Sequence, residues 1–122
     1  MRPYVPRLRR WEDRCAERRS ELEAEVERLR AFFAMQPDVV AVYAFGSYAS
    51  GKIGPTSDLD LLVVTTDEGR KLDRQDRLWR EASFGVPVDL VLVTPAEYGE
   101  RLPTTSFGQT ILDSAVAIYR AA

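Results

Sequence analysis

Leu22, Val26, Leu29 and Phe33 recur at steps of four, three and four residues, and Leu8, Trp11 and Cys15 extend the stripe backwards. Such spacing keeps one helical face apolar and predicts a single long helix over residues 8–35, with Pro37 beyond its end. Glu and Arg fill the other positions, so Glu21, Glu25, Arg28 and Arg30 are expected in solvent. The period then changes. VVAVYAF (39–45) is β-branched and aromatic, too short for a helix, and reads as a buried strand. Residues 46–57 form a loop broken by Gly51, Gly54 and Pro55, and LDLLVVT (59–65) is a second strand. A helix is predicted over 70–83 through Leu72, Trp79 and Ala82, followed by a third strand, VDLVLV (88–93). Thr94-Pro95-Ala96-Glu97 is a capping box that should open a short helix, and Ser106 with Gln109 repeats it before Ile111. The tail AVAIY suits a helix or a strand equally. Tyr43, Phe45, Trp11 and Trp79 are expected in the core. The element order predicts an α/β (α+β) fold, a small mixed β-sheet covered by helices.

A chain of 122 residues has room for one domain, here an N-terminal helix (1–36) followed by a core over 38–118. Its balance of 45% hydrophobic and 30% charged residues is that of an ordinary soluble protein, neither disordered nor membrane-bound. No apolar run approaches the roughly 20 residues that span a bilayer. The start, MRPYVPRLRRW, lacks a signal-peptide core, and the lone Cys15 suits a reducing compartment, so a cytoplasmic location is expected. A net charge of −2 speaks against a general polyanion binder. Residues 1–19 hold seven Arg against three acids, which reads as a solvated helix end rather than a nucleic-acid surface. Histidine is absent, which removes imidazole chemistry, and a single cysteine removes thiolate zinc clusters. Any metal must be held by oxygen.

Two features could carry chemistry. Gly46 to Lys52 matches the G-x-x-x-x-G-K phosphate loop, but Ile53 stands where Ser or Thr should ligate magnesium. Gly54 and Pro55 would also break the helix that should follow, so this match is set aside. The second feature is Gly46-Ser47, ten residues, then Asp58-Leu59-Asp60 at the mouth of an apolar strand. Alternation on a strand puts Asp58 and Asp60 on one face while Leu59 and Leu61 enter the core. Asp89 interrupts the next apolar strand in the same way, and neighbouring strands would let all three carboxylates converge. Without a partner such charges cost several kcal/mol. Three anions and no histidine or cysteine form a hard ligand set for Mg²⁺ or Mn²⁺, completed by phosphate oxygens. Simpler readings exist: Asp58 as a turn residue, Asp60 as an edge-strand charge, Asp89 paired with an arginine of the 70–83 helix.

Gly46, Ser47, Asp58, Asp60 and Asp89 together resemble the signature of the DNA polymerase β-like nucleotidyltransferase superfamily. Given the short chain, the likeness is closest to the minimal nucleotidyltransferase (MNT) family, whose members are paired with HEPN-type toxins. The resemblance covers residues 38–118 and implies a polymerase β palm-like sheet. It implies that Asp58, Asp60 and Asp89 are catalytic and bind two Mg²⁺ ions (or Mn²⁺), and that Gly46 and Ser47, with Lys52 close by, hold the triphosphate. Many relatives carry Arg where this chain has Ser50. The implied reaction moves AMP from ATP to a hydroxyl of a HEPN-type partner protein, as an antitoxin does in silencing its toxin. The small core implies that the acceptor is presented by that partner or by a second copy of this chain. Alternatives are an inactive module that neutralises its partner by contact, and an aminoglycoside-type adenylyltransferase. No membrane or nucleic-acid partner is expected.

Overall fold

The computed structural model describes residues 7–122, with side chains from Arg10 onward. Helix α1 runs from Arg7 to Ala34. Leu22, Val26, Leu29 and Phe33 are all buried against the sheet, as their spacing requires. The earlier part of the stripe behaves differently. Leu8 lies outside the residues whose side chains are described, Cys15 is half-buried, and Trp11 is 50% exposed with the Arg14 guanidinium over its ring. The expectation of a core Trp11 is therefore corrected: among the described residues, no element covers that turn of α1.

Four strands follow: β1 (Val39–Phe45), β2 (Leu59–Thr65), β3 (Val88–Val93) and β4 (Val116–Arg120), ordered β3-β2-β1-β4. β1 is antiparallel to β2 and β4, whereas β2 and β3 run parallel, joined by a crossover through α3 (Lys71–Ala82). The sheet is mixed, and the ambiguous tail becomes its edge strand. Leu59, Leu61 and Val63 face the cluster containing the α1 stripe, while Leu62 and Val64 join Ile111 and Leu102 on the other face. Burial of both faces explains why β2 reads as a nearly unbroken apolar run.

On α3 the buried face is Arg74, Leu78 and Ala82, not the predicted Leu72 and Trp79. Leu72 is exposed, and Trp79, 43% exposed, meets Phe84 edge-on. Arg74 takes the covered position because its guanidinium finds the Asp67 carbonyl at 2.6 Å while its stem packs. After β3 the Thr94–Glu97 box forms in both directions, at 3.1 and 3.2 Å, and opens a π-helical turn (Glu97–Arg101) and a 3₁₀ turn (Leu102–Thr104). Helix α4 (Ser106–Ser114) is capped by Thr105 rather than Ser106, its hydroxyl accepting from the Gly108 N–H at 2.9 Å. The Gln109 amide turns back to the Pro103 carbonyl instead. No helix among the described residues is long and apolar enough to cross a membrane.

Glu25 also departs from expectation, since it is 6% exposed rather than solvated. Its carboxylate accepts from Arg28 at 2.7 Å and from the Gly85 N–H, while Arg28 donates to the Ala82 and Ser83 carbonyls at the end of α3. The pair ties α1 to the α3–β3 turn. Charge-assisted bonds of this kind contribute about 2 kcal/mol, so Glu25→Gln should lower unfolding stability by that order in urea titrations. The Arg28 hydrogen bond holds the Glu25 carboxyl below the ordinary glutamate value. Its contribution is therefore complete above the ordinary value and disappears as pH falls through the lower folded one. Glu25→Gln should flatten that acid limb.

Candidate active site

β1 ends extended at Phe45 and turns at Gly46, whose φ of 72° lies in the left-handed region that favours glycine. Helix α2 (Gly46–Ser50) is one turn long and closes on Gly51, also left-handed at φ 78°. Phe45 is the cross-strand partner of Asp60, and a Cβ built on Gly46 would overlap the Asp60 carboxylate oxygen. The Gly-Ser turn thus lies directly against Asp60, and only glycine leaves the carboxylate its space.

Parallel pairing then sets Asp60 opposite Asp89, in the same register that matches Leu59 with Val88. Asp60 is half-buried and Asp89 exposed. Asp58 lies exposed in the loop, one residue before the ladder begins. β2 is an inner strand, so Asp60 is not an edge-protecting charge. Nor does the 70–83 helix neutralise Asp89. Arg77 goes instead to Asp38 at 2.7 Å and Asp67 at 3.4 Å.

Burial, then the charges of Asp89 and Asp58, hold the Asp60 carboxyl above the ordinary aspartate range. Among the described residues none of the three carboxylates has an arginine or lysine within ion-pair distance. Among those residues, too, no three acidic, His or Cys side chains close into a metal cage. Asp60 and Asp89 are fixed by the ladder, whereas Asp58 stands outside it. Two adjacent, mutually repelling carboxylates with a third nearby fit a hard cation that keeps few protein ligands and completes its shell with water and phosphate oxygens.

The predicted phosphate residues divide. Gly46 and Ser47 are at the site, Ser47 half-buried and its carbonyl accepting from the Ser50 hydroxyl at 3.3 Å. Lys52 is exposed on the loop and makes no ion pair among the described residues. Periodicity missed two contacts to this loop. Arg18 reaches the Ser57 carbonyl at 2.9 Å and Arg19 the Gly51 carbonyl at 3.1 Å. Partners 39 and 32 residues away leave no local signal, so both arginines read as part of a solvated helix end.

Solved structures of similar fold include a candidate nucleotidyltransferase from Sulfolobus solfataricus, with a TM-score of 0.62 and 23% identity over 88% of this chain and 87% of that one. Another is a complex of the tri-AMPylated HEPN toxin of Shewanella oneidensis with an MNT antitoxin, with a TM-score of 0.50 and 19% identity over 83% and 73% of the chains. A further MntA–HpeT toxin–antitoxin complex gives a TM-score of 0.50 and 24% identity over 81% and 72%. At these identities the likeness establishes the fold. No curated protein matches the chain. The family is established by sequence. Residues 20–118, which carry the Gly-Ser turn and all three aspartates, match the nucleotidyltransferase domain, and the chain belongs to that family.

Proposed function

We propose that the protein transfers AMP from ATP to a hydroxyl group of a HEPN-type partner protein, with a divalent cation, most simply Mg²⁺, held by Asp58, Asp60 and Asp89. One observation carries the reading: Asp60 and Asp89 are paired across parallel strands, with no cationic partner among the described residues, beside a turn that admits only glycine. A protein acceptor is favoured by the structural neighbour in which an MNT antitoxin is bound to an AMPylated toxin.

The bound cation would supply charge stabilisation along the triphosphate. The chain's own groups do the rest. Asp60, fixed by β2, Asp58 and Asp89 would hold the cation, while the Gly46 turn and the Ser47 hydroxyl would donate to phosphate oxygens, with the Lys52 ammonium near the tail. Asp89, the more exposed member of the strand pair, faces the incoming hydroxyl and accepts its proton. The acceptor oxygen bonds to the α-phosphorus as the bond to the bridging α–β oxygen breaks, and pyrophosphate departs. Residues 38–118 form the catalytic unit in this reading, and the acceptor is carried by a second polypeptide.

The test uses ATP labelled at the α-phosphate, Mg²⁺ and a HEPN protein encoded beside this chain. Label should pass to the partner, stay there through denaturation, and fail to do so when the label is at the γ-phosphate. An unlabelled partner, at Mg²⁺ levels that support binding, would overturn the proposal.

A further inference from the structure

The site's three carboxylates are held in unequal ways. Asp60 and Asp89 are locked by the β2–β3 ladder, whose first rung is Leu59↔Val88. Asp58 lies outside it, at the end of the loop 51–58, and its placement depends on what holds that loop. Inside, Ile53 is buried in the core, and Ser57 closes a tight turn with Gly54 through its side chain (2.8 Å) and backbone (3.2 Å). From outside, the hold comes from two consecutive residues of α1. The Arg18 Nε donates to the carbonyl of Ser57, the residue before Asp58, at 2.9 Å. Its side chain is only 15% exposed, and Glu21 fixes the other edge of the guanidinium at 2.9 Å. Arg19 donates to the carbonyl of Gly51, where α2 ends, at 3.1 Å. Both arginines precede residue 20, where the match to the nucleotidyltransferase domain begins.

We propose that Arg18 is a positioning residue for Asp58, fixing the backbone that aims this carboxylate at the Asp60–Asp89 pair, with Arg19 anchoring the loop's other end. The inference rests on the assignment of these aspartates to cation binding. Arginine suits the task because its planar fork bonds the Ser57 carbonyl and the Glu21 carboxylate at once, which a lysine cannot reproduce in one fixed geometry. The contact brings the part of α1 that precedes the matched domain to bear on the catalytic loop.

The experiment compares Arg18→Met, which keeps the stem and loses the donors, with Arg18→Lys and with Arg14→Met on the exposed side of the same helix. Amide ¹⁵N relaxation should show Asp58 more mobile in Arg18→Met, with Asp60 and Asp89 unchanged. Mn²⁺ affinity, read by paramagnetic resonance, should fall about tenfold, as for other residues that orient a ligand from behind. Arg18→Lys should recover part of both effects, and Arg14→Met should show neither. Wild-type relaxation at Asp58 in Arg18→Met would overturn the proposal, as would loss of the Asp60 and Asp89 signals along with it, which would mark a folding defect. Wild-type protein that binds no Mn²⁺ would instead end the cation assignment, while the relaxation data still decide whether Arg18 holds Asp58.

Discussion

Asp60→Asn is expected to abolish nucleotidyl transfer while making the metal-free protein more stable. The two effects have one cause. The Asp60 carboxyl is half-buried and faces Asp89 and Asp58, so its charge is disfavoured in the folded state. A raised folded-state value means that stability is highest in acid and falls as pH rises through the ordinary aspartate range to the raised one. Asparagine keeps the shape and removes that penalty. After allowance for solvent screening the gain is at most about 1 kcal/mol, a few degrees in melting temperature, and it should vanish at low pH. Loss of a carboxylate that would hold the cation should lower transfer by about a thousandfold, on the scale seen when one charge-stabilising group is removed from an active site. Melting curves from pH 4 to 8 without metal, beside a transfer assay with Mg²⁺, read both. Ordinary structural carboxylates lose stability on neutralisation, so an Asp60→Asn protein that melts lower at neutral pH would count against the account.

The second large effect is at Gly46. Alanine there meets two penalties, the left-handed φ of 72° and overlap of its Cβ with the Asp60 carboxylate. Gly51 separates them. Its φ is 78°, but a Cβ there would meet nothing within 4 Å. Each substitution should cost about 1–3 kcal/mol from backbone strain. Only Gly46→Ala should also displace Asp60, and a displacement of about an ångström at reacting groups lowers turnover by about a hundredfold. Gly51→Ala should retain transfer to within about threefold at temperatures where it is folded, which isolates the collision from the strain. Equal losses of activity in the two variants would show that the packing of Gly46 on Asp60 carries no function.

Much of the sheet was legible in the sequence, and the reasons are local. The bounds of β1, β2 and β3 coincide with the apolar runs at 39–45, 59–65 and 88–93, because burial of β2 on both faces leaves almost no room for polar residues. β4 was ambiguous because AVAIY has no period of its own, and only pairing with β1 makes it a strand. Of the stripe expected on α3 only Ala82 is buried, whereas Leu72 and Trp79 are exposed, because its apolar residues are few enough to fit two faces. Arg74, with a stem that packs and a carbonyl within reach, occupies a position that hydropathy assigns to solvent.

The site itself was half legible. Alternation along β2 sets the face of Asp60, but Asp58, expected on the same strand face, lies in the loop before β2 and is not placed by the strand. The pairing of Asp60 with Asp89 depends on β2 and β3 being parallel neighbours in one register, a property of the assembled sheet. Glu25 and Arg18 lay beyond reach for the same reason, since their partners Gly85 and Ser57 are 60 and 39 residues distant. Charged residues on a helix look solvated until the element that covers them is known.

On the proposed function, these carboxylates recruit a cation and the nucleotide together. This is tested most directly by calorimetric titration of an ATP analogue with a methylene α–β bridge, in Mg²⁺ and in chelator. Binding should be at least about tenfold tighter with Mg²⁺, with no such difference in Asp60→Asn. Equal affinity with and without metal in the wild-type protein would contradict it.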